Sequence, residues 1–331
     1  MNKNDSVLAN ANKSVLANVN KSVLALDTSN YTTSAAVFKG GFDQGQTGLV
    51  QSRLLLPVKA GEKGLRQSDA VFLHTKQLPE VIEKLGKIVD IGAIGYSSAP
   101  RDCDDSYMPC FKVGEAMARS MASVLGVPCH AFSHQAGHIA AAVFGLDMLS
   151  LLSEEFYAFH LSGGTLECVL VRPDKNKIIT CEIVGGTADI SAGQAIDRIG
   201  VMMGMKFPCG SELEQLALKS TQTFNRKAPI KDGRVCLSGL ENLCMELYNK
   251  ECPEDVAKFC FEYLGLSISE LSRELTKAHP EAKIVYCGGV AANTIIREKL
   301  ACDRALFAPV PFCTDNAAGT AVLTAIMEGI L

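Results

Sequence analysis

SVLALDTSNYTTSAAVF, residues 22 to 38, decides the fold. It reads as two apolar strands, SVLALDTS and TSAAVF, joined by the tight polar turn NYT, and it opens an alternation of strands and helices. A second apolar run, SRLLLPVK, follows a Gly-rich stretch. LHTKQLPEVIEKLGKIV reads as a helix with its proline near the start, DIGAIGYSSAP as a buried strand and CFKVGEAMARSMASVLG as a helix. VPCHAFSH is a strand leading into the helix of SHQAGHIAAAVFG. The second half restarts the pattern with FYAFHLSGG, TLECVLVRP and KIITCEIVGG. Helices SAGQAIDRIGVMMG and SELEQLALKS and a long helix from Glu254 to about Ala278 follow. KIVYCGGV, NTIIREKLAC, ALFAPVP and NAAGTAVLTAIMEGI then read as strand, helix, strand and helix. Both halves begin with strands linked by Gly/Ser/Thr turns and pass to helices. An α/β chain duplicated in this way is expected to form two lobes around a cleft.

Upstream of this stretch, SVLANANK and SVLANVNK repeat its first half. Only the third copy, SVLALDTS, continues into further structure, so residues 1–20 read as a disordered repeat tail. The remaining boundaries are an N-terminal lobe over 21–150 and a C-terminal lobe over 151–331.

The 331 residues suffice for two ordinary domains, and 47% hydrophobic against 21% charged residues describes a globular chain with a full core. A net charge of -4 excludes bulk electrostatic wrapping of nucleic acid while permitting a local basic patch. KSTQTFNRKAPIKDGR, with five Lys/Arg against one Asp, is such a stretch: a solvated loop or a phosphate contact. The thirteen cysteines form no C-x-x-C pair and sit mostly in apolar runs, as small buried hydrophobes in a reducing cytoplasm. There is no run of about 18 uncharged apolar residues, so no membrane partner is expected.

His134 and His138, four apart on a helix, share one face and can hold one ion between them or serve the packing. The H-E-x-x-H peptidases place their general base beside the first histidine. Here that position is Gln135, which cannot accept a proton. Three turns can offer backbone N–H groups to a phosphate or nucleoside: DTSNYT (27–32), SGGT (162–165) and GGVAAN (288–293). Asn293 can cap the next helix or hydrogen-bond a ribose or adenine. Asp197, on a helix with Gly210 in the turn that follows, can bind a ligand hydroxyl or pair with Arg198 or Arg172.

With SHQAGHI, LSGG, AGQAIDRIGVMMGMKFPCG, SGLENL, YCGGVAAN and CTDNAAGTA in this order, the chain resembles the tRNA threonylcarbamoyladenosine synthase family, formerly labelled glycoprotease. The resemblance runs from about Val23 to the C-terminus. It implies the duplicated actin, sugar kinase and Hsp70 fold, and a single iron or zinc ion on His134, His138 and Asp315. Substrate contacts are implied at His160, Leu161, Ser162, Gly163, Gly164, Asp197, Gly210 and Asn293. The implied reaction moves a threonylcarbamoyl group from threonylcarbamoyl-adenylate to the adenosine beside the anticodon of tRNA, with Asp27 a candidate for positioning or proton transfer. The family also works with a smaller homologous subunit and an ATPase.

The chain departs from the family in places. SGGT is one residue short of S-G-G-H-T. GGTADISAGQA lacks acids at Gly186, Ile190 and Gln194, and Glu241 stands where a lysine is usual. APRDCDDSYMPCF and GLRQSDAVFLH replace two further family segments. These changes describe a divergent paralogue, and they keep open a non-catalytic, nucleotide-binding assembly partner as the alternative. A metallopeptidase or a small-molecule kinase fits the residues less well.

Overall fold

The computed structural model describes residues 21–29, 31–40, 48–57, 65–313 and 317–331. The repeat copies in 1–20 and the expected ligand Asp315 lie outside the described residues. The chain divides into two compact units. One takes in the described residues of Met1–Ser153, Pro173–Cys181 and Asp315–Leu331, the other Glu154–Arg172 and Glu182–Thr314.

The first unit is built on strands β1 (Ser22–Ser29), β2 (Thr32–Lys39), β3 (Leu49–Leu55), β4 (Ile91–Ala99) and β5 (Cys129–Ser133) in the order β3-β2-β1-β4-β5. β1 to β3 form an antiparallel meander, and β4 and β5 add in parallel. All eight residues of β1 are buried, because both faces of this sheet are covered. The period of two sorts its side chains. Leu24 and Leu26 join Ile94 under helices α1 (Gln67–Glu83) and α2 (Phe111–Leu125). Val23 and Ala25 join Ala93 and the alanines of the last helix, α9 (Ala318–Met327). Pro79 sits inside α1 rather than near its start, because the helix begins at Gln67, well upstream of the apolar run that signalled it.

Helix α3 (His134–Gly145) is N-capped by Ser133, whose Oγ accepts from Ala136 N at 3.1 Å. It packs on α9 at one point of very close approach. A Cβ on Gly319 would lie 1.7 Å from the carbonyl oxygen of Gly137, so only glycine fits there.

The second unit repeats the plan. Strands β6 (Phe156–Leu161), β7 (Leu166–Asp174), β8 (Ile178–Thr187), β11 (Ile284–Cys287) and β12 (Ala305–Phe307) lie in the order β12-β11-β6-β7-β8. That is the order of the first sheet read from its other edge, with the hairpin β9 (Ile230–Lys231) and β10 (Arg234–Val235) added beyond β8. The hairpin and helix α6 (Gly239–Tyr248) went unread in the sequence. The Asp232-Gly233 pair is the hairpin's missed signal: both residues have positive φ, 51° and 68°, as a type I′ hairpin turn requires. Helices α4 (Ala192–Met202), α5 (Gly210–Ala217), α7 (Pro253–Leu275) and α8 (Thr294–Leu300) complete the unit around one core that includes Phe159, Ile199, Leu264 and Tyr286.

All thirteen cysteines are free thiols. Most are buried or half-buried, with Cys103, Cys252 and Cys302 exposed. Among the described residues no helix is long and apolar enough to cross a membrane.

Candidate active site

In the first unit, strand alternation carries Asp27 onto the face that Val23 and Ala25 share, toward α3. Thr28 goes to the opposite face, where its hydroxyl donates to Cys110 O and accepts from Gly114 N. Asp27 is 1% exposed and fully hydrogen-bonded. Its Oδ1 accepts from Ser29 N at 2.9 Å. Its Oδ2 takes the Ser97 hydroxyl at 2.6 Å and His134 Nδ1 at 2.7 Å. Burial pushes its carboxyl up, but the attraction of His134 and the hydrogen bonds from His134, Ser29 and Ser97 outweigh burial and hold it below the usual carboxylate range.

The consequence falls on His134. A proton on Nδ1, donated to Asp27, leaves Nε2 as the lone-pair nitrogen of the neutral ring. That nitrogen faces Nε2 of His138 at 2.9 Å, with the two rings at 79°. The pair is suited to a shared cation. Two Zn–N bonds of about 2.1 Å at a tetrahedral angle would separate the nitrogens by roughly 3.4 Å, within a small side-chain adjustment of the distance seen. A carboxylate behind a ligating imidazole is also the usual outer-shell arrangement of a metal site. Among the described residues no group of three His, Cys, Asp or Glu side chains is placed to hold a metal, and Asp315 is outside them. The two imidazoles therefore fit a metal as part of its ligand set.

In the second unit the residues singled out for substrate form one connected set. β6 delivers His160 and Leu161 to the Ser162–Thr165 turn, which Ser162 N closes on Thr165 O at 2.8 Å. Ser191 ties this turn to α4, its hydroxyl donating to Gly163 O at 2.6 Å. Ser191 also caps α4, and Gln194 completes the reciprocal capping box. At this position, where the family carries an acid, the amide oxygen of Gln194 accepts the Ser191 N–H and keeps the cap closed.

β11 pairs with β6 so that Cys287 lies beside His160, and the chain then turns at Gly288. Gly288 has φ +95°, and a Cβ there would lie 2.3 Å from Leu161 O. The GGVAAN turn therefore rests directly on the Leu161–Ser162 backbone. Asn293 takes the capping role, its Oδ1 accepting from Ile296 N at 2.9 Å. Next to it, Thr294 N and Oγ1 both donate to Glu214 of α5 at 2.7 Å. Asp197 pairs with neither arginine. Its Oδ1 accepts from Cys209 N at 2.8 Å, fixing the turn into Gly210, while Arg198 reaches Glu241 at 3.6 Å. Arg172 is held by Glu155 and Glu182.

Sequence reasoning missed Ser97, Glu214 and Asp189. Asp189 binds the N–H groups of Ile190, Leu237 and Ser238, which clasps the 187–191 loop to the start of α6. Burial raises its carboxyl, but the Ser238, Leu237 and Ile190 hydrogen bonds outweigh that and hold it at about 2. A depressed pKa stabilises the fold above the unfolded value near 3.9 and is lost as pH falls toward 2. With its solvent exposure discounted, this is worth about 1 kcal/mol. Asp189→Asn is expected to lower the unfolding midpoint by about 2 °C at pH 7 and to flatten its pH dependence between pH 4 and 2. Equal slopes in thermal scans of the two proteins would contradict this.

Similarity to known proteins agrees with the geometry. The sequence profile of the family described as tRNA N6-adenosine threonylcarbamoyltransferase matches residues 68–322. A protein of that name from Streptococcus agalactiae is 33% identical over 231 residues, 65% of this chain and 66% of the relative. One from Streptococcus pneumoniae is 27% identical over 308 residues, 88% of each. Among solved structures, HypF from T. kodakarensis superposes with a TM-score of 0.59 at 13% identity, covering 95% of this chain and 48% of HypF. A ROK family protein from Streptococcus pneumoniae gives 0.51 at 10% identity, covering 93% of this chain and 98% of that one. The fold is that of the actin, sugar kinase and Hsp70 class, and the two repeated sheet orders agree with it. With its profile match running from α1 into α9, the chain belongs to the tRNA N6-adenosine threonylcarbamoyltransferase family.

Proposed function

We propose that the protein transfers a threonylcarbamoyl group from threonylcarbamoyl-adenylate to the adenosine adjacent to the anticodon of tRNA, with one iron or zinc ion held by His134, His138 and Asp315. The observation that carries this reading is the His134–His138 pair, its Nε2 atoms 2.9 Å apart, with His134 oriented by a buried carboxylate. In the reaction the exocyclic amine of adenosine attacks the carbamoyl carbon. The C–N bond forms as the C–O bond to phosphate breaks, AMP departs and the amine gives up a proton. AMP is already a good leaving group, so the demand on the protein is to hold a weak nucleophile and an activated donor in register.

His160, Leu161, Ser162, Gly163, Gly164, Asp197, Gly210 and Asn293 are assigned to the adenylate. Exposed Gly163 and Gly164 offer backbone N–H groups unobstructed by side chains, as phosphate binding needs. With Oδ1 committed to the backbone, Asp197 keeps Oδ2 for a ligand hydroxyl, and Asn293 keeps its amide nitrogen as a donor. A bound metal would act as a Lewis acid on the donor's carbonyl. Asp27 holds the proton at His134 Nδ1, so it is a positioning residue rather than a proton carrier to substrate. Asp27→Asn is therefore expected to weaken metal affinity about 10- to 100-fold; unchanged affinity in a chelator competition would remove it from the site.

Metal analysis of the purified protein, paired with equilibrium binding of an adenine nucleotide, tests the reading. One iron or zinc per chain together with nucleotide binding supports it. A metal-free protein that cannot be loaded and binds no nucleotide would end it.

A further inference from the structure

We propose that the β9–β10 hairpin docks the phosphate backbone of the RNA substrate; this rests on the transferase reading. β9 and β10 pair antiparallel with Lys231 directly opposite Arg234. Residues opposite one another in such a pair project from the same face, with Cβ atoms about 5 Å apart, and like charges so placed destabilise the hairpin. Both side chains are exposed. Arg234 donates to the Thr187 carbonyl, which leaves its charge uncompensated. Among the described residues Lys231 has no ion pair, and Asp232 in the turn is the one carboxylate of the hairpin.

The surroundings extend the positive charge. In KSTQTFNRKAPIKDGR, Lys227 pairs with Glu270 at 2.7 Å, but Glu270 also takes Arg273, so two cations share one carboxylate. Arg226 is exposed nearby, close enough to Tyr263 of α7 to influence it, as Asp189 and Cys236 are. The Asp189 carboxylate is already occupied by three backbone N–H groups. A chain with a net charge of -4 thus concentrates cations on one short hairpin.

Its location gives the patch a purpose. β10 lies against the end of β8, with Val235 beside Thr187. Four residues on, Ser191 holds Gly163 of the substrate turn. An RNA presenting its adenosine to an adenylate held at that turn passes its neighbouring phosphates along the hairpin. Two adjacent cations suit a polyanion, whose contacts position without reading sequence. The competing explanation for charged residues on an edge strand is protection against edge-to-edge association.

The test is titration of a tRNA transcript by fluorescence anisotropy between about 50 and 300 mM NaCl, using the full chain and Lys231→Gln/Arg234→Gln. The double variant is expected to bind tRNA about tenfold more weakly, with a salt slope shallower by about 1.5, as loss of two phosphate contacts requires. Adenine nucleotide binding should be unchanged, and Lys231→Arg/Arg234→Lys should retain tRNA affinity. Equal affinity and slope in wild type and double variant, especially with the variant self-associating, would overturn the hairpin assignment and leave the transferase reading standing. A wild type with no salt-dependent tRNA affinity would overturn both.

Discussion

His134→Ala/His138→Ala is expected to yield a folded protein that holds no iron or zinc and forms no threonylcarbamoyl product. Cooperative unfolding should survive, because Ser133 still caps α3 and Ala136, Ile139, Ala140 and Val143 still bury its packing face. The metal loss should be complete, since removing two imidazoles leaves one of the three assigned ligands. Each single variant separates the roles further. His138→Ala removes one assigned ligand and leaves the Asp27–His134 hydrogen bond intact. His134→Ala also strands Asp27, whose buried carboxylate then keeps only Ser29 and Ser97 as donors. His134→Ala should therefore be the less stable of the two, by about 1–2 kcal/mol. Stoichiometric metal in the double variant would show that the histidines are ordinary helix residues.

Gly319→Ala is expected to cost about 3 kcal/mol and to disturb metal binding through the backbone of α3. The added methyl would stand 1.7 Å from Gly137 O and 2.7 Å from Ala141 N, both backbone atoms of α3. No rotamer relieves such an overlap, so α3 and α9 must separate. Because α3 carries both imidazoles, its displacement shifts His134 against Asp27 of β1, which now holds His134 Nδ1 at 2.7 Å. Gly137→Ala is the control. There the new Cβ meets the Thr320 hydroxyl at 3.0 Å, a side chain that can turn aside, and the loss should be under about 1.5 kcal/mol. Equal stability of Gly319→Ala and the native protein in denaturant unfolding would contradict the packing described for this helix pair.

The duplicated plan was legible because strand periodicity and tight turns are local: SVLALDTS and FYAFHLSGG each announce the start of a meander. The i, i+4 spacing of His134 and His138 was legible for the same reason. Their orientation was not, because it depends on Asp27, more than a hundred residues earlier, lying on the odd face of β1. Asp197 offered a pairing with Arg198 or Arg172, yet its partner is the Cys209 amide, a backbone contact that no side-chain pattern encodes. The Glu214–Thr294 link joins elements eighty residues apart and carries no motif. The β9–β10 hairpin was within reach, since Asp-Gly between short strands is a turn signal, but its two-residue strands are too short for alternation to register.

Direct assay of transfer tests the account most sharply. Purified protein loaded with iron or zinc would be incubated with threonylcarbamoyl-adenylate and unmodified tRNA, alone and with any homologous subunit and ATPase the host supplies. The tRNA would then be digested and its nucleosides weighed by mass spectrometry. The account predicts N6-threonylcarbamoyladenosine with the native protein and none with His134→Ala/His138→Ala. Unmodified adenosine with the native, metal-loaded protein under every combination, while a known member of the family modifies the same tRNA, would contradict it.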